Sequence, residues 1–376
     1  LFQFSYSLSV FFAICFAFAK NLITMFVIYE CLTIATIALV GFKRNEEVKK
    51  GLFTYLAVLF FCSFLLLLPA ILYIEFNVGS IAFDGMGTGF IGRFGIEETT
   101  LKILLFMLVI GVGKAAFFPF HIWLPSAMVA PTPVSGLLHA VAVVKVGAFF
   151  VLRVINDVYG VDFLSYLLSS FNFILLISAI TILFSSVMAV FQANLKKRLA
   201  YSTIGQISYV VLMLSTFTKL GVMAAMFQII THALTKILLF FTVGGFYTAA
   251  HSNQIIAFTG MFRKNKIVCI AFLFATLSIC GLPATAGFLN KGFMFYSLAK
   301  AESWWGIGVL GVSAFLSFLY LIPVCYAIFK RVPARQSKSF HELPKTFNII
   351  FILLAILNLV VFILGSLFFI YYVNEW

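Results

Sequence analysis

The stretch from Gly111 to Arg153 reads GVGKAAFFPFHIWLPSAMVAPTPVSGLLHAVAVVKVGAFFVLR, and Lys114, His139 and Lys145 within it can exchange protons. Each is embedded in apolar sequence, which Pro119, Pro125, Pro131 and Pro133 interrupt. A lysine at the centre of a bilayer costs roughly 2.5–3.5 kcal/mol on insertion scales. Three titratable groups on two adjacent apolar helices therefore point to function. Snorkelling or core packing is the bland reading for any one of them. Further on, THALTKILLFFTVGG puts His232 and Lys236 four residues apart, on one face of one helix. A satisfied core histidine is the usual reading of such a residue, and the lysine one turn away argues instead for a proton relay. Glu30, in NLITMFVIYECLTIATIALV, is the one carboxylate expected deep in apolar sequence. It must be neutral or paired, and basic groups on neighbouring helices are the available partners. In LSICGLPATAGFLNKGF, Gly281, Pro283 and Gly287 interrupt a further helix, with Lys291 just beyond. The chemistry these residues offer is proton transfer among buried lysine, histidine and carboxylate.

The elements that position them are membrane helices. The chain is 63% hydrophobic and 10% charged, with mean hydropathy +1.13. Apolar runs long enough to cross a ~30 Å hydrocarbon layer recur along it. Strand-like alternation is absent, so helices must satisfy the backbone. The fold class is all-α and polytopic. Eleven spans are expected, near 3–19, 21–42, 51–75, 100–119, 131–153, 163–192, 199–217, 221–248, 267–289, 303–329 and 347–372.

A net charge of +13 could suggest nucleic acid, but its placement argues otherwise. The basic residues concentrate in four short loops: Lys43, Arg44, Lys49 and Lys50; Lys196, Lys197 and Arg198; Arg263, Lys264 and Lys266; Lys330, Arg331, Arg335, Lys338 and Lys345. With the spans above, all four loops alternate to one face. The positive-inside rule makes that face cytoplasmic and the loop charges solvated. No nucleic-acid partner is expected.

The six cysteines all fall in predicted spans without a CxxC pair, so no iron–sulfur or zinc site is expected. GMGTGF, in a loop with Asp84, Glu97 and Glu98, lacks the third glycine of a dinucleotide fingerprint, and GVGK lacks the rest of a phosphate-binding loop. No cofactor and no metal are expected. His251 and His341 fall in loops and read as solvated. The chain opens on Leu1 with a span beginning almost at once, and reads as N-terminally truncated.

Two spans, the fourth and the ninth, are interrupted, each with a lysine close by: Lys114 with Pro119, and Lys291 with Pro283. Corresponding broken helices in two halves of a chain mark an inverted-repeat transporter with its site near the midplane.

At these motifs the chain resembles the proton-conducting membrane subunits shared by respiratory complex I and the multisubunit Mrp-type sodium/proton antiporters. GKAAFFPFHIWLP, APTPVSGLLHA, LKKRLAYSTIGQISY, THALTK and GLPATAGFLNK occur in the family's order, and the likeness covers nearly all of residues 1–330. It implies a fold of about fourteen helices built on two inverted five-helix repeats, each with one broken helix. The repeats would be residues 1–153 and 154–329, followed by a basic linker and last helix over 330–376. It implies that Glu30 is the family's essential glutamate and Lys114 the lysine paired with it. His139, Lys145, His232 and Lys236 would be relay groups, and Lys291 would lie at the exit half-channel. Two departures stand out: the family's first three helices are missing, and Asn194 occupies a surface turn where relatives often carry aspartate.

The expected function is that of a proton-translocating subunit of a multisubunit Na⁺ or K⁺/H⁺ antiporter, of A or D type. Having both His139 and Lys145 looks more Mrp-like. The alternative is an antiporter-like proton-pumping subunit of complex I or a membrane hydrogenase, driven by electron transfer elsewhere. A structural or substrate-transporting membrane protein is the third reading. The expected partners are other membrane subunits, the lipid bilayer, H⁺ and Na⁺ or K⁺. The chain is not expected to be an enzyme on its own, and its expected location is the bacterial plasma membrane.

Overall fold

Polar residues at the edges of the apolar runs set where the helices begin. Asn21, Asn45 and Asn172 accept from the backbone N–H of Thr24, Val48 and Leu175 at 2.8, 2.9 and 3.0 Å. Thr218 and Thr285 do the same for Gly221 and Phe288. Each satisfies an amide that the first helical turn leaves without a partner. Asn194 is also such a cap, accepting from Lys196 and Lys197; the position expected to be a plain surface turn starts a helix.

The computed structural model describes residues 2–43, 45–83, 87–331 and 340–375. Arg44, Asp84, Arg335 and Lys338 lie outside the described residues, as do Gly85 and Met86 of GMGTGF. The first helices are α1 (Phe2–Ala17), α2 (Leu22–Val40), α3 (Glu46–Asn77), α4 (Glu98–Gly111), α5 (Phe120–Val129) and α6 (Thr132–Tyr159). Then follow α7 (Phe173–Val190), α8 (Leu195–Leu214), α9 (Lys219–Ala250), α10 (Lys266–Cys280), α11 (Ala286–Lys300), α12 (Trp304–Phe329) and α13 (Lys345–Glu375). There is no strand among the described residues, only one isolated bridge between Asn194 and Gln254. Among the described residues, seven helices are long and apolar enough to cross a membrane by themselves. With α4–α5 and α10–α11 each taken as one interrupted span, the helices follow the eleven expected.

Several boundaries differ from expectation. The fourth span breaks before either proline: α4 stops at Gly111, Gly113–Ala115 form a tight turn, and Ala116 is left-handed at φ 57°. Lys114 thus sits in the break, not in a helix. Pro119 only opens α5, and Pro125 lies within it. The fifth span continues past residue 153, through a π-helical segment, to Tyr159; there Arg153 pairs with the buried Asp157 at 2.6 Å. The sixth is split into a short helix, Val161–Leu167, and α7. In the ninth, Gly281 caps α10 at φ +79° and Pro283 lies in the gap. Gly287 does not interrupt anything. It begins α11 against Ser278, whose carbonyl a Cβ would overlap.

The basic loops gather at one end of the bundle. Leu195 N donates to Asn253 O at 2.9 Å and Ile255 N to Ala193 O at 3.1 Å, while His341 N reaches Ala249 O at 3.1 Å. Lys43 joins this end by bordering the same cavity as Lys196. Not all of these charges are solvated, however. Lys196 is buried, donating to Met128 O and Ala130 O at 3.0 and 2.5 Å. Arg198 is buried too, donating to the carbonyls of Gln192, Tyr320 and Val190. Loop ends with unpaired carbonyls offer acceptors that a long basic side chain can reach. The outward faces are apolar, as on α13 at Leu353 and Leu364, and Trp304 and Trp305 lie exposed at the start of α12, where an aromatic belt belongs.

One close approach holds the first break in place. A Cβ on Gly147 of α6 would lie in the backbone of Lys114 and Ala115. Gly147→Ala should therefore lower the apparent melting temperature in detergent, with an overpacking cost of about 1–3 kcal/mol. Gly311→Ala, with nothing within 4 Å of the added atom, should not. Equal melting of both variants and the parent would show that α6 does not clamp the break.

Candidate functional site

The break between α4 and α5 delivers Lys114 to the face of α2. Its Nζ donates to Tyr29 O at 2.6 Å and to Thr33 Oγ1 at 2.7 Å, 3.1 Å from the centroid of the Tyr29 ring. The Lys114 backbone N–H donates to Tyr29 OH at 3.1 Å. Lys114 is completely buried. Glu30 adjoins this seat but does not close on it. Both its carboxylate oxygens are buried without a hydrogen-bond partner, and no Glu30–Lys114 salt bridge is present among the described residues. The expected pair is thus open in this structure. The reason is helical geometry: Tyr29 and Thr33 share one face of α2, and Glu30 is rotated about 100° from Tyr29.

The centre of the molecule is where α6 meets α9. Lys145 Nζ and His232 Nδ1 form a hydrogen bond between two buried side chains. A hydrogen bond between two nitrogen bases contains one proton that either can own, so this contact can pass a proton from the first half of the chain to the second. One turn along α9, Lys236 Nζ donates to Leu199 O at 3.1 Å and Ser202 Oγ at 2.9 Å, and Tyr320 OH donates to the same Ser202 at 2.9 Å. His139 lies in a π-helical segment of α6, Leu137–Val141, a local distortion common at functional positions. It is not drawn into the Lys145–His232 contact. Its ring stacks on Phe240 at 4.8 Å, and both nitrogens are buried without a partner.

Beyond His232, a small polar cavity leads to the second break. Gln228, Thr231, Ser278, Asn290 and Lys291 border it together with His232. Gln228 Nε2 donates to Gln206 O at 2.8 Å, and Asn290 Nδ2 donates to Gln228 Oε1. Lys291, in α11, donates from Nζ to Cys280 O at 3.0 Å, a carbonyl that the end of α10 leaves free.

Of the residues expected at the site, His232 and Lys291 border one small polar cavity, Lys145 is bonded to His232, and Lys236 lies a turn away. Lys114 and Glu30 flank one seat, and His139 stands apart. The sequence reading missed the seats themselves: Thr33, Ser202, Tyr320 and the amides Gln206, Gln228 and Asn290. The visible signal was a hydroxyl three or four residues beyond each accepting carbonyl, in YECLT and LAYS. It also missed His121, buried against Phe118 and Phe184 with Nδ1 unpartnered.

The family model described as NADH:quinone oxidoreductase/Mrp antiporter, transmembrane, matches residues 19–317. The chain belongs to this family of antiporter-like membrane subunits, and it is an integral membrane protein. Among curated relatives it is 30% identical over 346 residues to NAD(P)H-quinone oxidoreductase subunit 5, chloroplastic, of Nandina domestica, covering 86% of this chain and 45% of that one. With the protein of the same description from Ipomoea purpurea it is 34% identical over 233 residues, 57% of this chain and 31% of that one. The chain spans less than half the length of these relatives. A chain of Thermus thermophilus respiratory complex I superposes with TM-score 0.77 at 25% identity, over 95% of this chain and 76% of that one. A chain of the Mrp complex of Dietzia sp. DQ12-45-1b superposes with TM-score 0.81 at 18% identity, over 93% and 72%. The archaeal membrane-bound sulfane sulfur reductase has a chain that gives 0.82 at 21% identity, over 96% and 72%. The last two show a shared fold.

The Lys145–His232 contact makes a specific demand. Lys145→Ala and His232→Ala should each cut proton flux about tenfold or more, and the double variant should be no worse than the poorer single one. A double-mutant cycle of flux in reconstituted vesicles checks this. Multiplicative losses would mean that the two residues act separately.

Proposed function

We propose that this chain is a proton-translocating, antiporter-like subunit of a larger membrane complex. The observation that carries the reading is the buried Lys145–His232 hydrogen bond, which joins the Lys114 side of the molecule to the Lys291 side. Protons would load at the Glu30–Lys114 pair, cross through Lys145, His232 and Lys236, and leave near Lys291. His139 would supply a side branch. The division into repeats 1–153 and 154–329 with a last segment 330–376 belongs to this proposal, with the helix of the fifth span running across the first boundary to Tyr159.

For the driving force, the descriptions of the curated relatives favour a quinone oxidoreductase, with redox chemistry in other subunits. Exchange of Na⁺ or K⁺ for H⁺ in an Mrp-type complex, placed first on the sequence, becomes the second reading. The joint presence of His139 and Lys145 on α6 supports it. Both readings put the basic-loop end in the cytoplasm or its organellar equivalent. A bacterial plasma membrane remains our proposed location, alongside curated relatives that are chloroplastic.

The test uses the whole complex in everted vesicles, wild type against Glu30→Gln and Lys114→Ala. An electron donor alone should acidify the lumen in wild type, and both variants should lose at least about 90% of that flux, the equivalent of 1.4 kcal/mol or more. Flux driven by added Na⁺ or K⁺ without a donor would move the chain to the antiporter reading. Full flux in both variants, with the complex assembled, would overturn the proton-conducting role of this pair.

A further inference from the structure

His139 is a titratable side chain with no route to water. It is completely buried, neither ring nitrogen has a hydrogen-bond partner, and its ring stacks on Phe240. To gain or lose a proton it must meet water or another base. Neither Lys145 nor His232 reaches it: neither His139 nitrogen makes a hydrogen bond to either of them.

A cavity of about 780 Å³ approaches His139 from the basic-loop end. That is far larger than the space of about 30 Å³ that one liquid water occupies. Its mouth is polar, with Lys43, Asn45, Lys196, Asn194 and Asn253. Gly136, Leu137, Val141 and Phe240, from the α6 and α9 helices beside His139, give it an apolar lining as well. Leu137 and Val141 lie two residues either side of His139, and Phe240 carries the stacked imidazole. Phe240 therefore touches both: it borders the cavity and its ring stacks on His139.

The spacing along α9 makes the same point. His232, Lys236, Phe240 and Gly244 follow at intervals of four, so each lies one turn beyond the last. The first two are buried polar groups of the interior, and Gly244 already borders the cavity. Phe240 is the turn at which the stripe passes from interior to cavity. Gly244 faces Thr132 with an ordinary contact distance of 3.4 Å for an added Cβ, so no close packing seals that level.

Resting on the proton-translocation reading above, we propose that Phe240 is a hydrophobic gate: its ring separates the cavity at the basic end from His139, and displacing it admits water to the imidazole. In the closed form seen here the cavity ends at the ring. In the open form, His139 exchanges a proton with cavity water, giving up or taking one at a ring nitrogen, and becomes an additional loading position.

The experiment reads access directly. His139→Cys is introduced into the full complex in sealed vesicles with the basic loops outward, and labelled with an anionic, membrane-impermeant methanethiosulfonate. The parent with its six native cysteines gives the background. With Phe240 intact the new thiol should label slowly; with Phe240→Ala it should label at least about tenfold faster. Phe240→Leu, which keeps an apolar side chain of substantial volume, should stay near the slow rate. Equal labelling with Phe240 and with both replacements would overturn the gate, as would rapid labelling in the Phe240 parent. In parallel, Phe240→Ala should raise passive proton leak several-fold while Phe240→Leu should not. Faster labelling in a complex whose Glu30→Gln variant pumps normally would uphold the gate while removing the proposed loading at Glu30.

Discussion

A lysine ammonium buried in a membrane protein must be given hydrogen-bond acceptors, and much of this structure follows from that demand. Three buried lysines and the part-buried Lys291 meet it on backbone carbonyls: Lys114 on Tyr29, Lys236 on Leu199, Lys196 on Met128 and Ala130, and Lys291 on Cys280. A carbonyl inside a regular helix is already used by its own amide. Those of Cys280, Met128 and Ala130 are available because the chain is interrupted there. Tyr29 and Leu199 lie inside helices, and their seats add a hydroxyl from the next turn, Thr33 and Ser202. Each hydrogen bond to a charged group is worth roughly 1.5–3 kcal/mol, and a central lysine costs roughly 2.5–3.5. Two acceptors bring the account near balance. A charge held near balance can be moved, whereas one held by a tight ion pair cannot.

The two breaks serve this arrangement in different ways. The first places Lys114 itself in the gap, with Ala116 left-handed and Gly147 of α6 pressed against the backbone. The second leaves Lys291 on the following half-helix and uses the gap to expose a carbonyl for it. Because the interrupted spans are five apart, an odd number, they run in opposite directions across the membrane, as an inverted repeat requires. Lys145 and His232 then meet between them, and the amides Gln206, Gln228 and Asn290 continue the polar region toward Lys291.

The sequence made the groups legible but not their seats. Lysine and histidine in apolar runs are conspicuous because so little else there is polar, and glycine and proline announce an interruption. The seats depend on hydroxyl and amide residues that are common in any membrane helix, so the spacing that places Thr33 and Ser202 is too common a signal to single them out before Lys114 and Lys236 are found on them. The exact break was also invisible. Prolines drew attention to 119 and 125, while the backbone turns at 112–116 around Lys114 itself. Lys196 and Arg198 read as loop charges because a run of basic residues is usually solvated. Carbonyls brought near by folding, such as Met128 and Tyr320, cannot be seen in the run itself.

Glu30 is the place where the structure and the expected chemistry differ most instructively. Its oxygens are buried and unpartnered, and a bare carboxylate in that position would be far too costly unless neutral or hydrated. Lys114 is meanwhile seated on the adjoining residue's carbonyl and on Thr33, one helical step away. The two acceptor sets, Tyr29 with Thr33 on one side and Glu30 on the other, therefore compete for one ammonium. They differ in charge: closing on Glu30 would join opposite charges, while the observed seat leaves both Glu30 oxygens without a hydrogen-bond partner. In the proposed proton-translocating role, the competition between these two acceptor sets is what would tie the position of Lys114 to its neighbour on α2.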